Sequence, residues 1–254
     1  MAKKPALTKV KQKAAGSVPA GTKINVQQPP QFPSVSPKES LIVDDFVPDK
    51  ILLIQDAFDE SECKQFIKFM EELPLELTPA PKKGEAVRVN YRINIQSPSF
   101  AEALFSVFSP HLPNFPLPES RIPRKANSKP DSSAIAARPA HSFNSNIRMY
   151  KYTEGQHFGS HYDDSVTDPV TGTHSEWTLL IYLSGKEDGV VGGETIFYPG
   201  EGKKKDKELP IVPELRRGMA LLHRHGYECF RHEGALVQKG VKYVLRSDVM
   251  FSDQ

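Results

Sequence analysis

The most regular helical pattern of apolar residues lies just after residue 59. Four apolar residues recur there at the spacing of one helix face: Cys63, Phe66, Ile67 and Met70. Asp59 precedes this segment and Glu62 follows three residues later, which is the arrangement of a capping box, and Pro74 disfavours any continuation. The pattern therefore predicts an amphipathic helix over residues 60–72. A second apolar stripe predicts a shorter helix over residues 99–108.

Most of the remaining apolar segments are short or alternate with polar residues, as in β-strands. The predicted strands lie at 51–54, 87–95, 147–152, 157–163, 177–183, 192–197, 220–222, 228–233 and 241–251. From residue 143 they follow one another at short intervals with turns between them, which indicates a β-sandwich or a jelly-roll barrel. We therefore expect a mainly β fold with flanking helices and a double-stranded β-helix (jelly-roll, cupin-like) core.

The amino-terminal part differs in composition from the rest of the chain. It is rich in Lys, Pro and Ala and contains no acidic residue before Glu39. Such a segment cannot bury enough apolar surface to offset its ordering entropy, so a disordered tail is predicted. The tail is either a solvated basic segment or an arm for nuclear import or nucleic-acid contact. The predicted divisions are a 1–40 tail and a single 41–254 domain, with supporting elements at 41–112, a lid or insertion loop at 113–141 and the jelly-roll core at 143–251.

Composition narrows the class of protein and its compartment. A net charge of +2 with 25% charged residues describes an ordinary soluble chain. Two cysteines cannot form a disulfide framework and fit a reducing compartment. No apolar run approaches the length of a membrane span. We expect an intracellular protein, cytoplasmic or nuclear or both, without a membrane partner.

The candidate chemistry begins with His161 and Asp163. Residues i and i+2 of an extended strand point to the same face, so both side chains can reach one metal ion. His232 is the best candidate for a third ligand, and two histidines with one carboxylate form the facial triad of non-haem iron oxygenases. His223 and His225 compete with His232 for this position. Neither is followed at strand distance by a cation that could anchor a ligand, apart from residues that would serve His232 equally well. Four histidines are accordingly expected to be structural or exposed: His157, His174, His223 and His225.

Two cations follow His232 on the next predicted strand. A turn around Gly240 folds the chain back and brings Lys242 near His232. Lys242 and Arg246 share one face of that strand. If this face points inward, the two cations need an anion, because unpaired buried charges are unfavourable. If it points outward, they are ordinary surface charges.

These motifs together resemble the prolyl 4-hydroxylase-like branch of the 2-oxoglutarate- and Fe(II)-dependent oxygenase superfamily. The matching segments are Tyr150-Lys-Tyr152-x-x-Gly-Gln156 with His161-x-Asp163, Gly192-Gly-Glu-Thr195, and His232-x-Gly234 followed by Lys242-Tyr-Val-Leu-Arg-Ser-Asp248. The resemblance covers residues 143–251 well and residues 41–110 more loosely.

The resemblance implies a role for each matching residue. Fe²⁺ is held by His161, Asp163 and His232, which are also the catalytic residues. The far carboxylate of 2-oxoglutarate is bound by Lys242 and Tyr152. Arg246 departs from the family pattern, and it either supports the cosubstrate or reaches an anionic group of the substrate. Strand parity with Tyr152 assigns two further residues to the substrate mouth: Arg148 and Tyr150. The implied cofactors are Fe²⁺, 2-oxoglutarate and O₂, with ascorbate as an optional reductant.

The resemblance implies hydroxylation of a C–H bond of a protein side chain, as in prolyl hydroxylases, or of a small molecule. Succinate and CO₂ are released. Two alternatives stay open: a zinc hydrolase with the same His₂-Asp site, and a non-catalytic jelly-roll sensor that binds a metal or ligand. A hydrolase has no need for Lys242 or Tyr152. Nucleic-acid demethylases of this superfamily have an arginine-rich segment after the distal histidine, which Arg246 alone does not provide. The basic tail leaves contact with nucleic acid open.

Overall fold

The computed structural model describes residues 30–118, 137–169, 171–199 and 209–252. Within these ranges the α-helices are α1 (Glu60–Glu72) and α2 (Pro98–Phe108), and short 3₁₀ helices span Lys186–Asp188 and Gly226–Glu228. The strands are β1 (Val43–Val47), β2 (Ile51–Ile54), β3 (Glu76–Leu77), β4 (Arg88–Val89), β5 (Tyr91–Gln96), β6 (Phe115–Pro116), β7 (Ala137–Arg138), β8 (Ser142–Phe143), β9 (Asn146–Tyr152), β10 (His157–His161), β11 (His174–Tyr182), β12 (Val191–Gly192), β13 (Thr195–Tyr198), β14 (Ala220–Arg224), β15 (Arg231–Gly234), β16 (Val237–Lys239) and β17 (Lys242–Phe251).

The two α-helices begin at side-chain caps. Asp59 accepts a hydrogen bond from the Glu62 backbone N–H at 2.8 Å, and the Glu62 carboxylate accepts one from the Asp59 N–H at 2.8 Å. This capping box confirms the predicted start of α1. Ser97 caps α2, and Pro98 occupies its first turn, where no N–H partner is required. No helix among the described residues is both long and apolar enough to cross a membrane.

Two antiparallel sheets form the body of the protein. The large sheet has the order β1-β2-β14-β11-β17-β9-β5-β3, with β8 paired to β17. The small sheet has the order β13-β15-β10-β4. Two packed sheets with crossover connections form a jelly-roll, which confirms the predicted fold class.

Alternate residues of the large sheet face two different hydrophobic clusters. One cluster contains the apolar faces of α1 and α2 and covers the outer side of the sheet. The other fills the space toward the small sheet and includes Tyr150, Tyr152 and Val244. On β17, Leu245 and Val249 belong to the helix side, whereas Val244 faces the small sheet. The candidate site lies on that second side.

The folded chain begins before residue 41, where the sequence analysis placed the start of the domain. The Phe32 ring stacks on Phe100 with centroids 4.2 Å apart. The Glu62 carboxylate also accepts hydrogen bonds from the Ser36 N–H at 2.7 Å and from Lys38 Nζ at 2.5 Å. These contacts attach the segment 30–40 to α1 and α2. The sequence pattern missed it because the segment has no periodic secondary structure of its own.

Two predicted segments lie largely outside the described residues. Residues 1–29 of the predicted tail are among them. So are residues 119–136 of the predicted lid or insertion at 113–141. The described ends of that segment meet each other, because β6 pairs with β7.

Candidate active site

The three predicted metal ligands meet between two strands of the small sheet. His161 and His232 are direct cross-strand partners in β10 and β15, and their ring centroids are 4.3 Å apart. Asp163 follows the end of β10, with Oδ1 3.7 Å from His161 Nε2 and Oδ2 3.8 Å from His232 Nε2. One ligand atom from each residue lies within 4.8 Å of the other two. The structure therefore brings the three side chains into the reach of a single ion.

Hydrogen bonds to the backbone fix the tautomers of both histidines. His161 Nδ1 is 2.9 Å from the Gly159 carbonyl, and His232 Nδ1 is 3.0 Å from the Phe230 carbonyl. A carbonyl oxygen can only accept, so each Nδ1 must donate its proton, which leaves Nε2 with a free lone pair. This is the usual outer-shell arrangement of metal-binding histidines.

The charge state of the three residues also fits a metal ion. Burial lowers the pKa of His161 to about 3, and it lowers the pKa of His232 as well. Burial alone would raise the pKa of Asp163, but Arg246 and the adjacent imidazoles hold it well below its ordinary value. Neutral imidazoles and an ionised carboxylate are the forms that bind metals. Nitrogen and oxygen donors in this ratio suit Fe(II) with open positions.

Both oxygens of Asp163 accept hydrogen bonds from the large sheet. Arg246 Nη1 donates to Oδ1 at 3.0 Å, and the Thr178 hydroxyl donates to Oδ2 at 2.8 Å. Arg246 Nη2 also lies 3.4 Å from Asp248 Oδ1. Arg246, predicted as a cosubstrate or substrate contact, therefore has carboxylate partners within the protein.

Lys242 has a different environment, although it shares a strand face with Arg246. Both side chains point inward and are buried, at 4% and 8% exposure. Lys242 Nζ donates to the Gly193 carbonyl at 2.5 Å and lies 5.4 Å and 5.3 Å from the ring centroids of Tyr152 and Tyr182. Among the described residues, no carboxylate forms an ion pair with it. Burial lowers the pKa of Lys242 to about 8, although the Glu194 carboxylate acts in the opposite direction.

One cleft connects the metal ligands with Lys242. It encloses about 440 Å³, including its open mouth, which is within the range of about 300–1,000 Å³ for small-molecule sites. Its lining includes every predicted metal and cosubstrate residue, together with residues that the sequence analysis did not single out for the site. The lining residues are Tyr150, Tyr152, Phe158, His161, Asp163, Leu180, Tyr182, Thr195, His223, Gly234, His232, Lys242, Val244 and Arg246.

The two predicted substrate-mouth residues have separate environments. Tyr150 lines the cleft. Arg148 has the same strand parity, but its Nη2 forms an ion pair with Asp248 Oδ2 at 3.1 Å, and it is not among the lining residues. The Tyr182 hydroxyl and Thr195 Oγ1, 2.7 Å apart, form a further polar pair near Lys242. Tyr182 lies in a strongly apolar strand, so its sequence context resembles that of a core residue.

The histidines that were not predicted to bind the metal differ in whether they line the cleft. His174 bonds Glu176 Oε1 at 2.8 Å, and His225 Nδ1 lies 3.0 Å from the Thr178 hydroxyl. His223, by contrast, lines the cleft, with Nε2 3.6 Å from Asp163 Oδ2. Its strand parity with Leu221, which belongs to the cleft-side cluster, is the signal that could have identified it.

Comparisons with known proteins find a family model and solved structures that resemble this chain. Residues 147–247 match the family model of the 2OG-Fe(II) oxygenase superfamily. No curated protein matches the sequence. A Trichoplax adhaerens prolyl hydroxylase, solved with a hypoxia-inducible factor oxygen degradation domain peptide, has a TM-score of 0.50 at 13% identity, over 81% of this chain and 86% of that one. A viral collagen prolyl hydroxylase from Paramecium Bursaria Chlorella virus-1 has a TM-score of 0.47 at 16% identity, over 80% and 97%.

Proposed function

We propose that this chain, which belongs to the 2OG-Fe(II) oxygenase superfamily through its residues 147–247, hydroxylates a C–H bond of a protein side chain or a small molecule. In this reaction 2-oxoglutarate and dioxygen are consumed, one oxygen atom enters the product, and succinate and carbon dioxide are released. The family match confirms the oxygenase class predicted from the motifs. The substrate and the role of each residue are the proposed part.

Lys242 is the observation that supports this proposal best. A buried ammonium group without an anion is unfavourable, so the cleft is suited to a ligand that brings a carboxylate to it. The other end of the same cleft holds the His161, Asp163 and His232 donors. A 2-oxo acid with a second, distant carboxylate has the complementary groups: chelating oxygens at one end and an anion at the other.

In the proposed site, His161, Asp163 and His232 hold Fe(II), and the backbone carbonyls at Gly159 and Phe230 orient the two imidazoles. When bound, the iron supplies the oxidative chemistry that activates dioxygen and attacks the C–H bond. Arg246 keeps the Asp163 carboxylate ionised, and the bonds from Arg246 and Thr178 orient it. They thereby position a metal ligand rather than the cosubstrate.

The cosubstrate end is formed by Lys242 with the hydroxyl groups of Tyr152, Tyr182 and Thr195 nearby. Burial raises the pKa of both tyrosines, so both remain neutral hydrogen-bond donors at physiological pH. Apolar side chains also line the cleft, and Phe158 stacks on His161 with centroids 3.6 Å apart. These groups exclude water and strengthen the interaction between Lys242 and an anion.

The alternatives explain the cleft less completely. A zinc hydrolase could use the same three ligands, but it gives no function to the buried Lys242. A non-catalytic sensor could use the same ligands and cleft, but it would not turn over 2-oxoglutarate in the test below. Ascorbate as a reductant and an intracellular location stay predictions. Contact of residues 1–29 with nucleic acid also stays open.

The proposal is tested with the full chain loaded with Fe(II) under anaerobic conditions. We expect 2-oxoglutarate consumption and succinate release to match when air is admitted, and both to be lost in His161→Ala. The matched control His141→Ala removes an exposed histidine and should keep the parent rate. Turnover that persists in His161→Ala, or in the metal-free protein, would exclude the proposed site.

The substrate is identified separately by incubation with protein and metabolite fractions of a cell extract under isotopically heavy dioxygen. Mass spectrometry should find a product with one labelled oxygen atom that forms only when Fe(II) and 2-oxoglutarate are both present. A labelled residue in a protein supports the protein-side-chain alternative, and a labelled metabolite supports the small-molecule alternative. Consumption of 2-oxoglutarate with no labelled product in either fraction would contradict the hydroxylase assignment.

A further inference from the structure

His223 lies in the proposed metal centre but does not belong to the facial triad. It is the cross-strand partner of Thr178, the residue that bonds Asp163, and its side chain is 2% exposed. Its ring lies 4.5 Å from the His232 ring, centroid to centroid. The side chain is therefore held rigidly beside two of the three proposed ligands.

The hydrogen bond of Nδ1 determines what His223 presents to the site. Nδ1 lies 3.0 Å from the Arg224 carbonyl oxygen, so it donates its proton there. Nε2 then carries a lone pair, and it is buried without a hydrogen-bond partner among the described residues. Asp163 Oδ2 lies 3.6 Å from it. A lone pair and a carboxylate that face each other repel, and a cation between them turns this repulsion into attraction.

Three imidazole lone pairs and one carboxylate thus point into the same space. We propose that His223, through Nε2, is a fourth protein ligand of the metal in the protein without substrate. The inference rests on the proposed function, because it requires the His161, Asp163 and His232 centre. It adds a ligand that the facial triad lacks and that the sequence analysis assigned to a structural role.

The additional ligand has a consequence for reactivity. A bound metal with a fourth protein ligand would have fewer positions left for a chelating 2-oxo acid and for dioxygen, and one of them would open only when His223 withdraws. In this arrangement His223 suppresses oxidation of 2-oxoglutarate when no substrate is bound.

Cys229 is the competing donor in the same region. His223, Cys229 and His232 also form a group whose ligand atoms lie within 4.8 Å of one another. The Cys229 thiol, however, lies 3.8 Å from His232 Nδ1, the atom that donates to the Phe230 carbonyl. The thiol itself donates to the Phe230 carbonyl at 3.2 Å. Cys229 would have to break this bond to bind a metal, whereas His223 Nε2 breaks none.

The test uses the full chain loaded with Co(II) and proton NMR of the solvent-exchangeable, hyperfine-shifted imidazole N–H signals. Each ligating histidine with a protonated Nδ1 contributes one such signal. We expect three in the parent protein and two in His223→Phe. Co(II) affinity should fall in that variant at least as much as when an outer-shell partner is lost, which lowers metal affinity about 10- to 100-fold. His174→Gln, a buried histidine outside the cleft, is the matched control and should retain three signals.

Other results would overturn the inference. Two signals in the parent protein that persist in His223→Phe would show that Nε2 binds water or substrate instead. A thiolate-to-cobalt absorption band that disappears in Cys229→Ser would assign the position to the sulfur. Failure of the parent protein to bind Co(II) or Fe(II) would remove the proposed function as well. If His223→Phe does not fold, as judged by circular dichroism, His223→Gln provides the same count of signals, because its amide has no imidazole N–H.

Discussion

Arg246 Nη1 donates a hydrogen bond to Asp163 Oδ1 at 3.0 Å, across 83 residues of sequence. The other carboxylate oxygen accepts the Thr178 hydroxyl. Asp163 follows a strand of the small sheet, whereas both donors lie on strands of the large sheet. The orientation of this proposed metal ligand therefore depends on the packing of one sheet against the other.

Replacing Arg246 with Ala should weaken the metal centre. The variant leaves Asp163 without its cation, so metal affinity should fall about 10- to 100-fold, as for the loss of other outer-shell partners. Since both side chains are buried, the free energy of unfolding should also fall by about 3–5 kcal/mol. Calorimetric titration with Co(II) and chemical denaturation measure the two effects. As a control, Arg216→Ala breaks an exposed ion pair with Glu187. It should change neither the metal affinity nor the free energy of unfolding by much. Unchanged metal affinity with weaker 2-oxoglutarate binding would instead make Arg246 a direct cosubstrate contact.

Replacing Lys242 with Met should affect stability and cosubstrate affinity in opposite directions. Removing the cation that faces a bound carboxylate should raise the half-saturating 2-oxoglutarate concentration about 100- to 1,000-fold. In the ligand-free protein, the lowered pKa of Lys242 corresponds to about 3 kcal/mol at neutral pH, so the variant should unfold at a higher temperature. Thermal melts with and without 2-oxoglutarate test both effects. Lys239→Met, at an exposed position of β16, should change neither the melting temperature nor the 2-oxoglutarate affinity. A variant that binds 2-oxoglutarate like the parent would refute the anchor assignment.

The affinity for 2-oxoglutarate should depend on pH above neutrality. Burial lowers the pKa of Lys242 to about 8, while Glu194 acts in the opposite direction. The lysine is charged below that pH and neutral above it, so affinity should be constant below about pH 8 and fall about tenfold per unit above it. The adjacent Tyr152 and Tyr182 have raised pKa values and do not titrate in this range.

Titration calorimetry of the Ni(II)-loaded protein from about pH 6.5 to about pH 9.5 measures this dependence. In Lys242→Arg the cation persists throughout this range, so the affinity should be lower than in the parent at neutral pH but should not decline toward alkaline pH. An identical decline in that variant would place the titrating group elsewhere.

The segment 30–40 should contribute to stability although it precedes the predicted domain. Deleting residues 1–40 removes the Phe32 stack on Phe100 and the Ser36 and Lys38 bonds to Glu62. We expect a loss of about 1–3 kcal/mol, which lowers the melting temperature by roughly 2–4 °C for each kcal/mol. Deleting only residues 1–29 should leave the melting temperature unchanged. Equal melting temperatures of the two truncated proteins would show that the segment contributes nothing.

The local part of this structure could be predicted from the sequence. The capping residues Asp59 and Glu62 determine where α1 starts, and the apolar period determines its buried face. His161 and Asp163 are adjacent in one extended segment, so their shared direction needs no knowledge of the fold. The predicted return of the chain beside His232 across a single turn was wrong, because β16 lies between β15 and β17 and these two strands belong to different sheets. Lys242 nevertheless lines the same cleft as His232.

The contacts between sequentially distant strands could not be predicted. β11 lies between β14 and β17, and this order brings Thr178 beside both His223 and Asp248. No local pattern contains that order, so the Arg246 bond to Asp163 and the inward position of His223 were missed. Tyr182 was missed for another reason: an apolar strand gives its hydroxyl group no distinguishing neighbour in the sequence.

The alternation of β17 between two environments separates two kinds of substitution. Leu245, Val249 and Phe251 belong to the core cluster on the helix side, while Lys242 and Arg246 place charge in the cleft. Because neighbouring residues face opposite sides, a substitution can alter ligand recognition without repacking the outer core. A shift of the strand by one residue would bury Lys242 and Arg246 among apolar side chains, which is unfavourable enough to enforce the register. The charges proposed to act in the cleft thus also disfavour a shifted register of this strand.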